Sequence, residues 1–200
     1  TAAPIADNAI DGSDTVSLGI ALTTTGTNNY GIQTSNVDNF ADGNAITVTE
    51  AGSISTTGIN GFGIGNFGDD NTTTMSGSIS TTGLLGFGIW NYGSGNTTTM
   101  SGSISTTGMG GFGIWNIGSG NTTTISGSIK TEGAGAHGIY NEGSDNTTTI
   151  SGSIKTEGEG AGAHGIYNNG DNNTTTISGS IKTEGEGAGA AAIDNHGGNI

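Results

Sequence analysis

The sequence predicts an all-β fold: a β-solenoid in which a unit of about 25 residues is coiled into about seven rungs, each with three short strands. Three observations support this prediction. A sequence unit repeats along most of the chain, apolar and small polar residues alternate within each unit, and 41 glycines in 200 residues disfavour helices. Because only 30% of the residues are hydrophobic, we expect a thin core that repeats along the solenoid axis rather than one globular core.

Three landmarks keep the same spacing through the repeat. Asn-Thr-Thr-Thr starts at Asn71, Asn96, Asn121, Asn146 and Asn173, with intervals of 25, 25, 25 and 27 residues. Gly-Ser-Ile and Gly-Ile segments recur at matching intervals, and a degenerate earlier unit occupies about residues 14–39. We therefore predict an irregular N-terminal segment over residues 1–13, acting as a connector or cap, and a solenoid repeat domain over residues 14–200.

The alternation of side chains assigns inward and outward positions. On the third strand of each unit, an inward isoleucine is followed two residues later by an asparagine on the same side. These asparagines should form a structural ladder, because a carboxamide carries both donors and acceptors for hydrogen bonds along the stack. The predicted ladder consists of Asn66, Asn91, Asn116, Asn141, Asn168 and Asn195.

Between each of these isoleucines and asparagines lies one outward position, which is aromatic in four units: Trp90, Trp115, Tyr140 and Tyr167. We expect these residues to form an exposed aromatic ladder. Such a ladder could contact a sugar or a protein surface, because Trp and Tyr offer a large contact area at a low cost in entropy. The alternative is that the rings stack on one another and stiffen the solenoid.

Outward threonines form a second candidate surface. They occupy alternate positions of the first strand in five units: Thr72, Thr74, Thr97, Thr99, Thr122, Thr124, Thr147, Thr149, Thr174 and Thr176. This threonine array resembles the ice-binding face of some β-solenoid antifreeze proteins. The alternative is that threonine, a strong strand former, keeps a solvated face soluble.

Acidic turns and two histidines are the candidate metal ligands of the chain. Asp69, Asp70, Asp145 and Asp171 could hold calcium weakly through oxygen ligands, although the glycine-aspartate nonapeptide of calcium-binding solenoids is missing. His137 and His164 stand where earlier units have phenylalanine, so we interpret them as corner residues rather than metal ligands. No other cofactor is predicted. No cluster of acids interrupts the repeat, so we expect no catalytic site.

Composition restricts the partners and the compartment. Seventeen acidic residues face only three lysines, giving a formal net charge of −14, so nucleic acid is not an expected partner. Each lysine precedes a glutamate by two residues, which predicts solvated ion pairs on one face. The chain has no cysteine, so it would be stable in an oxidising space without disulfides, and we expect a secreted or cell-surface protein. No apolar stretch of the sequence is long enough to span a membrane.

The repeat resembles a known family. Units of the form G-S-I-x-T-x-G, followed by G-I-x-N and a G-x-N-T-T-T turn, are similar to repeats in the passenger domains of bacterial autotransporters, over about residues 45–200. The resemblance implies a right-handed parallel β-helix at the cell surface, with a role in adhesion, aggregation or surface coating. It is specific for architecture and poorly specific for activity.

Three functions are therefore expected as alternatives. The first is an extracellular structural subunit that stacks end to end on copies of itself, because the last unit stops within the repeat at Ile200. The second is an adhesive passenger fragment with cell-surface or glycan partners. The third is an ice-binding protein that acts through the threonine array.

Overall fold

The computed structural model describes residues 5–7, 15–28, 30–34, 42–158, 162–185 and 189–197. These residues form 22 strands, and no helix occurs among them. In chain order the strands are β1 (Ile5–Asp7), β2 (Thr15–Leu18), β3 (Ala21–Thr24), β4 (Ile32–Thr34), β5 (Ala45–Val48), β6 (Ser53–Thr56), β7 (Ile64–Phe67), β8 (Thr72–Met75), β9 (Ser78–Thr81), β10 (Ile89–Tyr92), β11 (Thr97–Met100), β12 (Ser103–Thr106), β13 (Ile114–Ile117), β14 (Thr122–Ile125), β15 (Ser128–Thr131), β16 (Ile139–Glu142), β17 (Thr147–Ile150), β18 (Ser153–Thr156), β19 (Ile166–Asn169), β20 (Thr174–Ile177), β21 (Ser180–Thr183) and β22 (Ile193–Asn195).

The strands form three parallel sheets, in which each strand pairs with the strands three places before and after it. The threonine sheet has the order β2-β5-β8-β11-β14-β17-β20, the serine sheet β3-β6-β9-β12-β15-β18-β21, and the asparagine sheet β1-β4-β7-β10-β13-β16-β19-β22. Strands β2 to β22 therefore make seven rungs of three strands. This topology confirms the predicted all-β parallel solenoid, while its right-handedness stays a prediction.

The N-terminal segment contributes one strand. β1 pairs in parallel with β4, with Ile5 opposite Ile32, and so adds an eighth strand to the asparagine sheet. The remainder of the segment predicted to be irregular, residues 1–4 and 8–13, lies outside the described residues. Its role as a connector or cap stays a prediction.

The core consists of three columns of apolar side chains, one from each sheet. Period-two alternation brings one residue type to the same place in every rung, so each side chain packs on its own equivalents about 4.8 Å away. The fully buried members are Val48, Met75, Met100, Ile125 and Ile150 in the threonine sheet, Leu22, Ile54, Ile79, Ile104, Ile129 and Ile154 in the serine sheet, and Ile32, Ile64, Ile89, Ile114, Ile139 and Ile166 in the asparagine sheet.

In the asparagine sheet, a glycine precedes the buried isoleucine of each rung from Ile32 to Ile166 and sets how closely these rungs approach. A Cβ atom added at Gly113 would lie 2.5 Å from the carbonyl oxygen of Gly138 and 2.4 Å from Cγ2 of Ile129. Gly88 and Gly138 show the same close approach in the neighbouring rungs. The Gly-Ile pair of the repeat is therefore a packing requirement, since any side chain at this glycine would push two rungs apart.

Buried asparagines hydrogen-bond along the solenoid axis. In the asparagine sheet, Nδ2 of Asn66 donates to Oδ1 of Asn91 at 2.6 Å, and Nδ2 of Asn91 donates to Oδ1 of Asn116 at 2.7 Å. The chain of bonds continues through Asn141 and Asn168 to Asn195. Each amide from Asn66 to Asn168 also donates to an inward threonine of the threonine sheet, as Asn66 does to Oγ1 of Thr73 at 2.8 Å. The ladder therefore joins two sheets as well as successive rungs.

A second asparagine ladder was not anticipated from the sequence. The backbone N–H of Asn71 donates to Oδ1 of Asn96 at 2.8 Å, and that of Asn96 donates to Oδ1 of Asn121 at 2.9 Å. The same bond recurs from Asn121 to Asn146 and from Asn146 to Asn173. The asparagine that opens each Asn-Thr-Thr-Thr segment thus caps the turn of the preceding rung, which explains why this residue type recurs at that position.

We predict that Asn116→Ala lowers the free energy of unfolding by about 3 kcal/mol. The change leaves the buried Nδ2 of Asn91 without its acceptor and the Oδ1 of Asn141 without its donor. Urea unfolding followed by circular dichroism measures the loss. The matched control is Asn195→Ala at the exposed end of the same ladder, with an expected loss below about 1 kcal/mol. Equal losses for the two variants would contradict a cooperative buried ladder.

Candidate functional site

The outward aromatic residues of the asparagine sheet form a ladder at the spacing of the rungs. β10, β13, β16 and β19 hold Trp90, Trp115, Tyr140 and Tyr167 directly opposite one another. The ring centroids of the two tryptophans are 5.5 Å apart with nearly parallel planes, and those of Trp115 and Tyr140 are 5.8 Å apart. Tyr140 and Tyr167 follow at 5.1 Å with inclined planes. The four rings therefore form one continuous column.

A second ring column, three residues earlier in each rung, covers part of the first. It consists of Tyr30, Phe62, Phe87, Phe112, His137 and His164. Phe62 meets Trp90 edge to face at 4.9 Å, and Phe87 meets Trp115 in the same way at 4.9 Å. The outward aromatic ladder is consequently half-buried rather than exposed as expected. The physical reason is that the corner of each rung folds the apolar phenylalanine ring back onto the indole.

The two ring columns border an open cavity of about 480 Å³ near the N-terminal end of the solenoid. Its lining consists of Asn28, Tyr30, Asn60, Phe62, Leu85, Phe87, Trp90 and Trp115. None of these side chains carries a charge at neutral pH. We refer to this cavity as the aromatic groove.

The rim of the aromatic groove comes from residues that sequence reasoning missed. Asn28, Asn60 and Leu85 occupy the same corner position of three successive rungs, two residues before Tyr30, Phe62 and Phe87, and all have left-handed backbones with φ of 55°, 52° and 53°. The next two rungs have glycine there, Gly110 and Gly135, with φ of 64° and 65°. The sequence feature that could have identified these rim residues is the replacement of glycine at this position of an otherwise regular repeat.

Two histidines continue the second ring column. The His137 and His164 rings stack with centroids 5.2 Å apart, and Nδ1 of His137 accepts the backbone N–H of His164 at 3.1 Å. Nδ1 of His164 likewise accepts the N–H of Ala191, and its Nε2 lies 3.2 Å from Oδ2 of Asp194. Accepting at Nδ1 places the proton of the neutral ring on Nε2. Burial lowers the pKa of His137 to about 4, and burial also lowers the pKa of His164.

The outward threonines lie in register on the threonine sheet. Thr97 faces Thr122 and Thr99 faces Thr124, and the same pairing runs from β8 to β20. The middle threonine of each triplet points inward and is buried from β8 to β17. The two outward positions therefore form two parallel columns of five threonines, which we call the threonine array.

The predicted acidic residues lie in the turns before the threonine sheet and do not converge. Asp69 and Asp70 precede β8, whereas Asp145 precedes β17 and Asp171 precedes β20. Oδ1 of Asp69 accepts the N–H of Ser94 at 2.7 Å, a bond that stabilises the turn of the next rung. Over the described residues, no three His, Asp or Glu side chains lie close enough to share a metal ion. The described residues therefore do not provide a set of ligands for the predicted weak calcium site.

Lysines and glutamates of the serine sheet alternate as ion pairs along the axis. Lys130 contacts Glu132 in its own rung and lies 2.9 Å from Glu157 in the next, and Lys155 bridges Glu157 and Glu184 in the same way. Hydrogen bonds from Lys155 and Lys182 lower the pKa of Glu184 to about 2. Because these groups are exposed to solvent, they contribute little to stability and chiefly keep this face charged.

Fold and surface together define a β-solenoid repeat protein. Comparisons with known protein families, with curated proteins and with solved structures found no match. Among the described residues, no helix has the length and apolar character needed to cross a bilayer.

The half-buried His137 and the buried His164 predict a stability that falls on acidification. Since the folded pKa of His137 is about 4 and an unfolded histidine titrates near 6.5, the unfolded state binds more protons between these values. The contribution of His137 to the free energy of unfolding is fully present above about pH 6.5. As the pH falls towards 4, the free energy of unfolding decreases by up to about 3 kcal/mol. His137→Phe, which extends the phenylalanine column, should remove much of this loss. Thermal melts at about pH 7.5 and about pH 5 measure it.

The control for this prediction is His196→Phe, because the His196 side chain is about half exposed. This variant should retain the pH dependence of the parent protein. An unchanged pH dependence in His137→Phe would show that the His137 imidazole is not the group responsible.

Proposed function

We propose that this protein is an extracellular structural β-solenoid subunit that stacks end to end on copies of itself, with an adhesive passenger, of the autotransporter type that its repeat resembles, as the alternative. One observation supports the stacking: inside the solenoid, each rung is buried by a neighbouring rung of the same geometry. Ile125 and Ile150 are fully buried in this way, whereas the equivalent Ile177 of the last described rung is 38% exposed. A further rung, whichever chain supplies it, would bury Ile177 as well.

The contacts within the solenoid indicate what such stacking gains. Each internal rung supplies parallel backbone hydrogen bonds in three sheets, a layer of three apolar side chains and one step of each asparagine ladder. The face that receives a rung and the face that offers one differ, so stacking is head to tail and does not close on itself. A net charge of −14 and the ion pairs of the serine sheet oppose association through the sides.

An exterior location is supported by composition. A chain without cysteine needs no reducing compartment, and its stability comes from hydrogen-bonded rungs rather than from disulfides.

In an adhesive passenger, the same rod would hold a binding surface away from the cell. The aromatic groove is the part of the described surface whose chemistry suits that role.

Sedimentation velocity over a range of protein concentrations tests the stacking. We expect reversible association into elongated particles, strengthened by salt because the units repel one another. Ile177→Lys places a charge on the uncovered rung and should abolish association. Met109→Lys is the control, because Met109 is 59% exposed at a corner of a central rung and should leave association unchanged. A monomer at every concentration would refute head-to-tail stacking.

Ice binding is a second candidate, favoured by the register of the threonine array. Two columns of hydroxyl and methyl groups repeat at about 4.8 Å between rungs and about 6.6 Å along each strand, which gives a regular two-dimensional surface. Such a surface could order water in a lattice, whereas a merely soluble face needs no such regularity.

Thermal hysteresis of the purified protein tests this candidate. Thr124→Lys interrupts the centre of the array and should abolish hysteresis. Ser105→Lys is the matched control on the serine sheet, where the next rung already has Lys130 at the equivalent position. The absence of hysteresis in the parent protein, or equal loss in both variants, would exclude ice binding through this face.

A further inference from the structure

We propose that the aromatic groove binds a neutral saccharide chain. The groove lies where the repeat departs from its own pattern at Asn28, Asn60 and Leu85, and sites tend to appear as local violations of a regular design. The inference goes beyond the proposed rod, because stacking of rungs does not require a groove on the side of the solenoid.

The floor of the groove suits the apolar face of a sugar ring. The half-buried Trp90 and Trp115, together with the ring edges of the buried Phe62 and Phe87, contribute aromatic carbon against which the C–H groups of a pyranose can pack. The volume of about 480 Å³ lies within the range of about 300–1,000 Å³ that is usual for ligand sites. The ring centroids of the two tryptophans lie 5.5 Å apart, which is close to the length of one hexose unit.

The rim of the groove suits the hydroxyl groups of a sugar. Nδ2 of Asn60 donates to Oδ1 of Asn28 at 3.0 Å, in an exposed pair at the mouth. A carboxamide offers two donor hydrogens and two acceptor lone pairs. This single bond therefore leaves donor and acceptor capacity on both side chains, as recognition of hydroxyl groups requires.

Leu85 forms a wall of the groove although its backbone conformation is unfavourable for a residue with a side chain. A branched side chain at φ 53° is unfavourable, and the next two rungs avoid the strain with Gly110 and Gly135. The Leu85 side chain is 43% exposed, so burial in the core does not offset the strain. Such strained positions concentrate at ligand sites, and here the side chain forms one wall of the groove.

Charge selects neutral sugars over other ligands. The groove has no charged lining residue with which to bind an ionic ligand, and the net charge of −14 repels anionic polysaccharides. A purely apolar ligand would make no use of the donor and acceptor capacity that remains on the two asparagines of the rim. The combination of an aromatic floor and an uncharged polar rim therefore favours a neutral oligosaccharide.

Intrinsic fluorescence reports on the site directly, because the chain has only two tryptophans and both line the groove. The probes are cellohexaose, maltohexaose and laminarihexaose, with hexagalacturonate as the anionic comparison. We expect a saturable change in tryptophan emission with at least one neutral hexasaccharide, with a Kd of about 1 mM or tighter, and a weaker response to hexagalacturonate.

The decisive variant is the double change Asn60→Gly and Leu85→Gly, which gives these corners the residue found at Gly110 and Gly135. It should weaken binding at least about tenfold, equivalent to about 1.4 kcal/mol, while the melting temperature stays the same or rises because backbone strain is relieved. The matched control is Ile59→Ala with Leu84→Ala, which changes exposed neighbours outside the groove lining and should leave affinity unchanged.

Three results would overturn the proposal. The first is no saturable response to any neutral hexasaccharide. The second is equal affinity in the double glycine variant, provided that circular dichroism shows it to be folded. The third is a response to the neutral apolar dye Nile red with none to the hexasaccharides, which would assign the groove to an apolar ligand.

Discussion

The structure depends on hydrogen bonding between equivalent residues of successive rungs. The interior is only one side chain deep from each sheet, so each buried asparagine of the ladder pairs with its equivalents one rung above and one rung below. Asn116 illustrates this, because it donates to Asn141, accepts from Asn91 and reaches across to Thr123. A residue that must pair with its own equivalent has to recur, and this requirement explains why the repeat tolerates so little variation inside the solenoid.

The same constraint organises the outer surface into columns. Once the inward residues are in register, the outward residues are too, so any surface property is repeated along the axis at the rung spacing. The threonine array, the alternating lysines and glutamates, and the two ring columns are all products of this alignment. Each column has one kind of chemistry, which allows a structural rod to carry a distinct surface on each of its three sheets.

Function is then expected where a column changes along the axis. The ring column runs from Tyr30 through three phenylalanines to two histidines, and the corner position beside it changes from Asn28, Asn60 and Leu85 to glycine. The first change produces largely buried histidines with an acid-sensitive stability, and the second produces the aromatic groove. Neither change is required by the rungs, since Gly110 and Gly135 maintain the same backbone at that corner.

The rungs, their three strands, the inward columns and the asparagine ladder of Asn66 to Asn195 can be predicted from the sequence, because they follow from local alternation repeated at a constant interval. The three-dimensional structure was needed to show that the phenylalanine column folds onto the outward rings, so that the aromatic ladder is half-buried. It was also needed to show that the first asparagine of each Asn-Thr-Thr-Thr segment bonds to the rung before it. Parity assigns a strand residue to a face, but it does not describe the turn between strands. The aromatic groove lies at such a turn, where the path of the backbone brings side chains of several rungs together.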